Sequence, residues 1–91
     1  MNTKNTNTTF VTGGASGIGA AIVRAHAARG DNVVFTYWTS ADEANALVAE
    51  LGDHVLALRS DANDETQVAQ SFARAVAQFG KVDAMVANTG G

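Results

Sequence analysis

The 91-residue chain contains no cysteine, which excludes a disulfide framework, thiolate chemistry and a thiolate metal site. It also lacks a surplus of basic residues, and its formal net charge of −3 gives no electrostatic reason to bind nucleic acid or an anionic membrane. No run approaches the roughly 20 apolar residues that a membrane span needs. We therefore expect a cytoplasmic protein with no metal site and with neither nucleic acid nor membrane as a partner.

Glycine, in contrast, is concentrated in one place. Four of the nine glycines stand in TGGASGIG at residues 12–19, and Gly13, Gly17 and Gly19 have the spacing TGxxxGxG. Glycine tolerates positive φ and has no Cβ, so this cluster predicts a tight turn or a backbone that another group approaches closely. A P-loop is excluded because no lysine follows these glycines to reach the terminal phosphates of a nucleoside triphosphate.

Four apolar segments follow a polar stretch, residues 1–7, which we predict to be a disordered tail. The predicted strands are residues 8–12, 32–37, 54–58 and 82–88. Three helical patterns lie between them, so the order is βαβαβαβ. Short connections and strands that are apolar on both faces favour an α/β fold in which helices cover a parallel sheet through right-handed crossovers.

The helices are predicted from apolar spacing and capping residues. The first begins at Gly17, and the face predicted to meet the sheet carries Ile18, Ile22, Ala25 and Arg29. The second follows a capping box formed by Ser40 and Glu43. The third follows an N-cap at Asn63, and its buried face is predicted to carry Val68, Phe72, Val76 and Phe79.

In a doubly wound sheet, ligands bind beyond the carboxyl ends of the strands, which here are followed by residues 13–19, 37–40, 59–63 and 88–91. The first helix would begin directly at the glycine turn. Its free backbone N–H groups and positive dipole end would then meet the ligand, and a phosphate or pyrophosphate is the natural occupant.

Each of the three spaced glycines has a predicted part in this arrangement. Gly13 would permit the sharp exit from the first strand, and Gly17 would allow the start of the helix to approach a cofactor closely. Gly19 would allow the helix to pack closely on the strand. Glycine-rich turns also serve geometry alone, but the strand before this turn, the helix after it and its position at residue 12 favour a phosphate or pyrophosphate site.

With this turn, residues 8–91 resemble the amino-terminal, nucleotide-binding half of a short-chain dehydrogenase/reductase. The family's segment after the fourth strand is typically NNAG, and ANTG at residues 87–90 matches it at Asn88 and Gly90. Ala87 departs from the pattern, and since the family's first Asn ties the central strands together, the sheet would be less well braced. The resemblance implies a single Rossmann-like half-domain, a doubly wound parallel sheet with strand order 3-2-1-4.

The resemblance also implies a dinucleotide cofactor. Asp61 takes the place of the family's Asp that holds the adenine amino group. Relatives that prefer NAD carry an acidic residue where this chain has Tyr37, so NADP(H) is favoured while NAD(H) stays possible. Many NADP-dependent relatives place an Arg next, where this chain has Trp38, whose indole would stack on adenine or pack on its own loop.

Without that Arg, the groups left to meet a 2′-phosphate are Thr36, Thr39, Ser40 and the more distant Arg59. The candidate cofactor-binding residues are Gly13, Ser16, Gly17, Ile18, Gly19, Tyr37, Trp38, Thr39, Ser40, Asp61, Ala62, Asn88 and Gly90.

No catalytic residue can be placed in the chain. Hydride transfer in the resembled family needs a Tyr, a Lys four residues later and a Ser, but the sole Tyr is Tyr37 and the residue four positions on is Ala41. The resemblance therefore implies the cofactor-binding half of an oxidoreductase acting on a carbonyl or alcohol, and leaves open whether the chain itself is an enzyme.

A cofactor-binding half-domain of this kind is expected to have one of two partners. We expect either a carboxyl-terminal half in a longer product or a second copy of the chain, bound through the exposed fourth strand. The alternative function is a non-catalytic half-domain that binds a nucleotide or associates with itself. A flavin or S-adenosylmethionine on a similar sheet is disfavoured by the glycine spacing together with Asp61 and Asn88.

Overall fold

The computed structural model describes residues 6–15 and 17–88. Its elements follow the predicted order: β1 (Thr8–Thr12), α1 (Gly17–Ala28), β2 (Asn32–Tyr37), α2 (Ala41–Leu51), β3 (Val55–Arg59), α3 (Glu65–Phe79) and β4 (Ala84–Ala87). Strand β3 begins one residue later than predicted, and β4 is shorter than predicted at both ends. In the described ranges, no helix has the length and apolar character needed to cross a membrane.

The four strands form one parallel sheet in the order β3-β2-β1-β4, which confirms the predicted strand order. Strand β1 is central, and its Phe10 lies between Val34 of β2 and Met85 of β4 in the strand register. All five residues of β1 are buried. The apolar character of this strand on both faces is therefore explained by layers that cover both sides of the sheet.

Alternate residues of the strands divide the core into two layers. On one face, Val11 and Phe35 belong to a cluster with Val23 of α1 and Leu47 of α2. On the other face, Phe10 and its neighbour in β2 pack with Ala75 of α3. The sheet therefore lies between α1 and α2 on one side and α3 on the other.

The face that α1 packs on the sheet differs from the predicted one. Ile18 is 74% exposed, and Ala25 and Arg29 are also exposed, while Ile22 is only partly buried against the core. The buried residues of the helix are Gly19, Ala20, Val23 and Ala27. These small side chains let the helix axis approach the sheet, which a face headed by two isoleucines would prevent.

The start of α2 confirms one part of the capping prediction and corrects another. Ser40 is the N-cap residue, as expected, but its side chain makes no capping hydrogen bond. The capping box with Glu43 is therefore wrong. The backbone carbonyl of Ser40 still accepts from the N–H of Ala44 at 2.9 Å, which closes the first helical turn.

Helix α3 is capped by Asp64 and not by the predicted Asn63. The Asp64 carboxylate accepts from the backbone N–H groups of Thr66 at 3.0 Å and Gln67 at 3.2 Å. Two of the unpaired donors at the start of the helix are thereby satisfied. Asn63 instead lies one residue further out, where its N–H donates to a carboxylate oxygen of Asp61 at 2.9 Å.

The predicted buried face of α3 is only partly covered. Ser71 and Ala75 are its buried residues, whereas Phe72 and Val76 are each 38% exposed. The Phe72 ring still reaches Phe10, with 5.9 Å between ring centroids. Phe72 and Val76 therefore leave exposed apolar surface on α3.

Hydrogen bonds fix the amino ends of the strands. The Asp83 carboxylate accepts from the Thr8 N–H at 2.8 Å, and the Asp83 N–H donates to the Thr8 carbonyl at 2.8 Å. The Asn7 carbonyl, in the segment assigned to the tail, accepts from the Asn32 N–H at 2.8 Å. Asn7 is therefore tied to the sheet, and residues 1–5 of the predicted tail lie outside the described residues.

The pKa of Asp83 is lowered chiefly because the Thr8 N–H donates to its ionised form, with a smaller favourable effect of Lys81, 3.2 Å away, while desolvation acts in the opposite direction. A carboxylate whose folded pKa lies below its unfolded pKa stabilises the fold fully above the unfolded value. That stability is lost as the pH falls through the folded pKa.

We therefore predict that Asp83→Asn flattens the acid limb of the stability profile. Below about pH 4, the usual range of an unfolded Asp, the wild-type free energy of unfolding should fall more steeply than that of the variant. Urea titrations of both proteins between neutral and acidic pH measure this difference. Parallel profiles would contradict the proposed contribution of Asp83.

Candidate functional site

The carboxyl ends of the four strands open into one cleft of about 560 Å³. All four segments that follow the strands contribute to its wall, as the topology predicts. The lining residues are Gly13, Ala15, Gly17, Ile18, Thr36, Tyr37, Trp38, Thr39, Ser40, Ser60, Asp61, Ala62, Asn63 and Asn88.

Most of the predicted cofactor-binding residues line this cleft. Gly19 does not line it and lies beneath the turn, while Ser16 and Gly90 fall outside the described residues. Ala15, Ser60 and Asn63 also line the cleft, although they are not among the predicted cofactor-binding residues, and Thr36 was predicted only as a possible phosphate contact. These residues lie within or next to the segments predicted to follow the strands, and that position in the sequence could have identified them as lining residues.

The turn after β1 leaves no room for a side chain at Gly13 or Gly14. Gly13 has φ +71°, and a Cβ there would collide with the carbonyl oxygen of Asn88. A Cβ on Gly14 would lie 2.6 Å from the Cβ of Phe35 and 2.9 Å from a methyl of Val23. Gly14 is thus required by packing, although the TGxxxGxG spacing leaves its position free.

The other two glycines of the motif, Gly17 and Gly19, have different structural roles. Gly17 has φ +60°, and apart from its chain neighbours and its own helix no described atom lies within 4 Å of the place where a Cβ would stand. This position on the wall of the cleft is therefore open. Gly19 is buried, and a Cβ there would collide with the Gly13 carbonyl and crowd the Asn88 amide. Glycine is thus required at position 17 because φ is positive there, and at position 19 because α1 packs closely on the turn after β1.

Asn88 joins the end of β4 to the glycine turn. Its backbone N–H donates to Thr12 Oγ1 at 3.0 Å, and its side-chain Nδ2 donates to the Gly13 carbonyl at 3.1 Å. The side chain of Asn88 therefore has a bracing role in addition to its place on the cleft wall. The expected weakening caused by Ala87 stays a prediction.

The turn is also tied to the end of β2. The Gly13 N–H donates to Thr36 Oγ1 at 3.2 Å, and the Gly14 N–H donates to the Thr36 carbonyl at 2.9 Å. Thr36 is 1% exposed. This burial makes Thr36 a weaker candidate for a phosphate contact than the exposed Thr39.

The loop after β2 presents an aromatic wall. Trp38 is 44% exposed and lines the cleft together with Tyr37. The Arg59 guanidinium lies 4.3 Å from the centroid of the Trp38 ring. Arg59 itself is not among the residues that line the cleft.

The loop after β3 places Ser60 and Asp61 on the cleft wall. Asp61 is held by the hydrogen bond from Asn63 and by its own N–H, which donates to Gln67 Oε1 at 2.9 Å. Ser60 is 2% exposed, and its Oγ is buried without a hydrogen-bond partner. Such an orphaned hydroxyl costs about 1–3 kcal/mol unless a ligand or a water satisfies it.

The first turns of the three helices differ in charge. Helix α2 carries Asp42 and Glu43 in its first turn, and α3 begins at Asp64 and Glu65. The first turn of α1 has no acidic residue. No acidic side chain of α1 therefore offsets the positive end of its dipole at the cleft. This arrangement favours an anionic ligand.

The comparisons with known proteins agree with this geometry. A family model described as short chain dehydrogenase matches residues 7–91. A cis-4-hydroxycyclohexanecarboxylate dehydrogenase from Sinomonas cyclohexanicum is 44% identical over 81 residues, which cover 88% of this chain and 32% of that enzyme.

Two similar solved structures contain a nicotinamide cofactor. A blue fluorescent protein from a metagenomic library, in complex with NADPH, has a TM-score of 0.83 and 45% identity over 87% of this chain and 34% of its own. A 3-ketoacyl-(acyl-carrier-protein) reductase from Brucella melitensis, complexed with NADH, has a TM-score of 0.81 and 32% identity over 87% of this chain and 32% of its own. The chain thus spans about a third of the length of these relatives.

The different roles of the glycines predict different costs of substitution. Gly17→Ala should destabilise the chain by about 1–2 kcal/mol, because only the positive φ is disfavoured. Gly19→Ala should cost about 3 kcal/mol or more, because it overpacks the turn and breaks the Asn88–Gly13 hydrogen bond. Urea unfolding of the two variants measures the difference, and equal costs would refute the assigned roles.

Proposed function

The chain belongs to the short-chain dehydrogenase family, and from this premise and the cleft geometry we propose that residues 8–91 bind a nicotinamide dinucleotide. In this proposal they form the cofactor half of an oxidoreductase that interconverts a carbonyl and an alcohol. The observation that carries the proposal is the start of α1 at the carboxyl end of β1, where Gly17 leaves open space on the wall of the cleft.

The pyrophosphate fits the start of α1. The first turn of a helix leaves backbone N–H groups without partners inside the helix, and this turn has no carboxylate of its own. The open space over Gly17 lets an anion approach those groups. Ile18, exposed in the same turn, would cover the phosphates with an apolar side chain.

The adenosine fits the part of the cleft between the loops that follow β2 and β3. Trp38 and Ala62 both line this part and offer apolar surface to a base. Asp61 has a carboxylate that can accept from the adenine amino group, and the unpaired Ser60 hydroxyl lies beside it in the chain. These residues support recognition of adenine in addition to phosphate.

Within that cofactor class we propose a preference for NADP(H). No acidic side chain stands at Tyr37, Trp38, Thr39 or Ser40, so nothing in this loop repels a 2′-phosphate. The exposed hydroxyl of Thr39 and the half-buried hydroxyl of Ser40 can donate to it. Similar structures contain NADPH in one case and NADH in another, and NAD(H) is therefore the alternative.

A bound nicotinamide would supply the hydride, and the residues of this chain would bind and orient it. The proton that accompanies hydride transfer needs a positioned acid or base. Tyr37 is the sole tyrosine and lies in the loop proposed to hold the adenosine. The proposed reaction therefore depends on acid–base residues that these 91 residues do not supply.

Trp38, the sole tryptophan of the chain, provides the test of cofactor binding. We expect NADPH to quench its fluorescence saturably at lower concentrations than NADH. Ile18→Glu should weaken binding of both cofactors by about tenfold or more, because a carboxylate at the start of α1 repels the pyrophosphate while leaving the helix stable. Ile18→Gln, of the same size and neutral, is the matched control.

Absence of quenching by either cofactor in a folded wild-type chain would contradict the proposal. Equal binding by the Ile18→Glu and Ile18→Gln variants would place the phosphates elsewhere.

The proposed preference has its own test at Tyr37. Tyr37→Asp should lower the affinity for NADPH by about tenfold, because the new carboxylate would repel the 2′-phosphate, and should leave NADH binding unchanged or improved. Tyr37→Asn separates the charge from the loss of the ring. A parallel loss for both cofactors in Tyr37→Asp would argue against a phosphate at this position.

The second candidate function is self-association through β4. β4 is an edge strand of the sheet, and its Met85 is 52% exposed, so this edge carries apolar surface. An exposed, apolar edge strand readily pairs with another strand. In the resembled family this surface would instead meet the rest of a chain about three times as long.

We expect the 91-residue chain alone to form dimers or larger species in sedimentation experiments at micromolar concentration. Met85→Lys should shift it towards the monomer, because a charge on an edge strand opposes pairing. A wild-type chain that is folded and monomeric throughout the concentration series would exclude association through β4.

A further inference from the structure

Arg59 and Trp38 form a contact that the cofactor site alone does not explain. The Arg59 guanidinium lies 4.3 Å from the Trp38 ring centroid, and its Nε donates to the Trp38 carbonyl at 3.3 Å. Arginine over tryptophan within about 6 Å is a favourable cation–π arrangement. One arginine side chain thus holds both the ring and the backbone of Trp38.

The position of Arg59 follows from the strand register. Arg59 is the last residue of β3 and pairs with Tyr37 at the end of β2. Its side chain can therefore reach the residue that follows Tyr37. The next residue, Ser60, donates its N–H to the Tyr37 carbonyl at 2.8 Å, so the two strand ends remain joined up to the point where Trp38 leaves the sheet.

Arg59 lies outside the cleft that Trp38 lines. It borders a separate surface depression, which is lined by Leu58, Arg59, Gln67, Gln70, Ser71 and Arg74. Trp38 borders the cleft and not this depression. Arg59 thus contacts the Trp38 ring without being among the residues that line the cleft.

We propose that Arg59 is a positioning residue that holds the Trp38 indole as a preformed wall for the adenosine, and that it is not a ligand of the 2′-phosphate. This inference rests on the proposed dinucleotide function. A half-exposed indole loses side-chain freedom when a ligand binds it, and holding it in place beforehand reduces that loss. The benefit applies to any cofactor with an adenosine, with or without a 2′-phosphate.

The experiment measures NADPH and NADH affinities of the full chain by calorimetry for wild type, Arg59→Ala and Arg59→Lys. Arg59→Ala should weaken both cofactors by the same factor, about threefold to tenfold, as expected for one lost cation–π contact. Arg59→Lys keeps the cation and should recover part of the loss. Arg74→Ala removes the same charge from the same depression and should bind as wild type does.

A second readout follows Trp38 without any ligand. Its steady-state fluorescence anisotropy should fall in Arg59→Ala and remain at the wild-type value in Arg74→Ala, with circular dichroism showing that each variant is folded. Unchanged anisotropy together with unchanged affinities would overturn the positioning role.

The remaining outcomes separate this inference from the function it rests on. A loss confined to NADPH in Arg59→Ala would identify a phosphate ligand and overturn the positioning role. If the wild type bound neither cofactor, the proposed function and this inference would both fail. If the wild type bound the cofactors and Arg59→Ala bound them with unchanged affinity, the positioning role of Arg59 would fail while the proposed function would stand.

Discussion

The close contact between the glycine turn and the carboxyl end of β4 determines where everything else in the cleft can lie. Gly13 and Gly19 approach backbone atoms that would collide with any Cβ, and the Asn88 amide donates to the Gly13 carbonyl at 3.1 Å. Because Gly13 and Gly19 have no side chains of their own, α1 can begin directly at the ends of β1 and β4. In the described part of the chain, the start of α1 therefore lines the cleft at this end of the sheet, and its first N–H groups have no partners inside the helix.

Much of this arrangement was predictable, because it depends on local chemistry. Near-continuous apolar segments such as 32–37 indicated strands buried on both faces, and the glycine spacing indicated where β1 ends. Parallel strands joined by helices bring their carboxyl ends to one edge, so the loops that carry Trp38 and Asp61 were expected to meet. The sequence motif alone did not reveal that packing also excludes a side chain at Gly14.

The predictions that differ from the structure concern places where the sequence allowed two similar alternatives. In α1, alanines surround the helix, so apolar spacing did not distinguish the face with Ile18 from the face with Val23, which the sheet covers. Asn63 and Asp64 are both good capping residues, and only the tertiary position of the Asp61 loop selects between them. The partial exposure of Phe72 depends on which elements lie beside α3. The apolar periodicity along the helix carries no information about these neighbours.

The central claim is that the backbone at the start of α1 receives the pyrophosphate, and backbone amide shifts test it most directly. In heteronuclear NMR spectra of the nitrogen-labelled full chain, NADPH and ADP-ribose should both saturably shift the amide signals of Gly17, Gly19 and Ala20. Adenosine, which lacks phosphate, should shift only signals near Trp38 and Asp61. If NADPH left the three α1 amides unmoved while the chain remained folded, the account of the glycine turn would be contradicted.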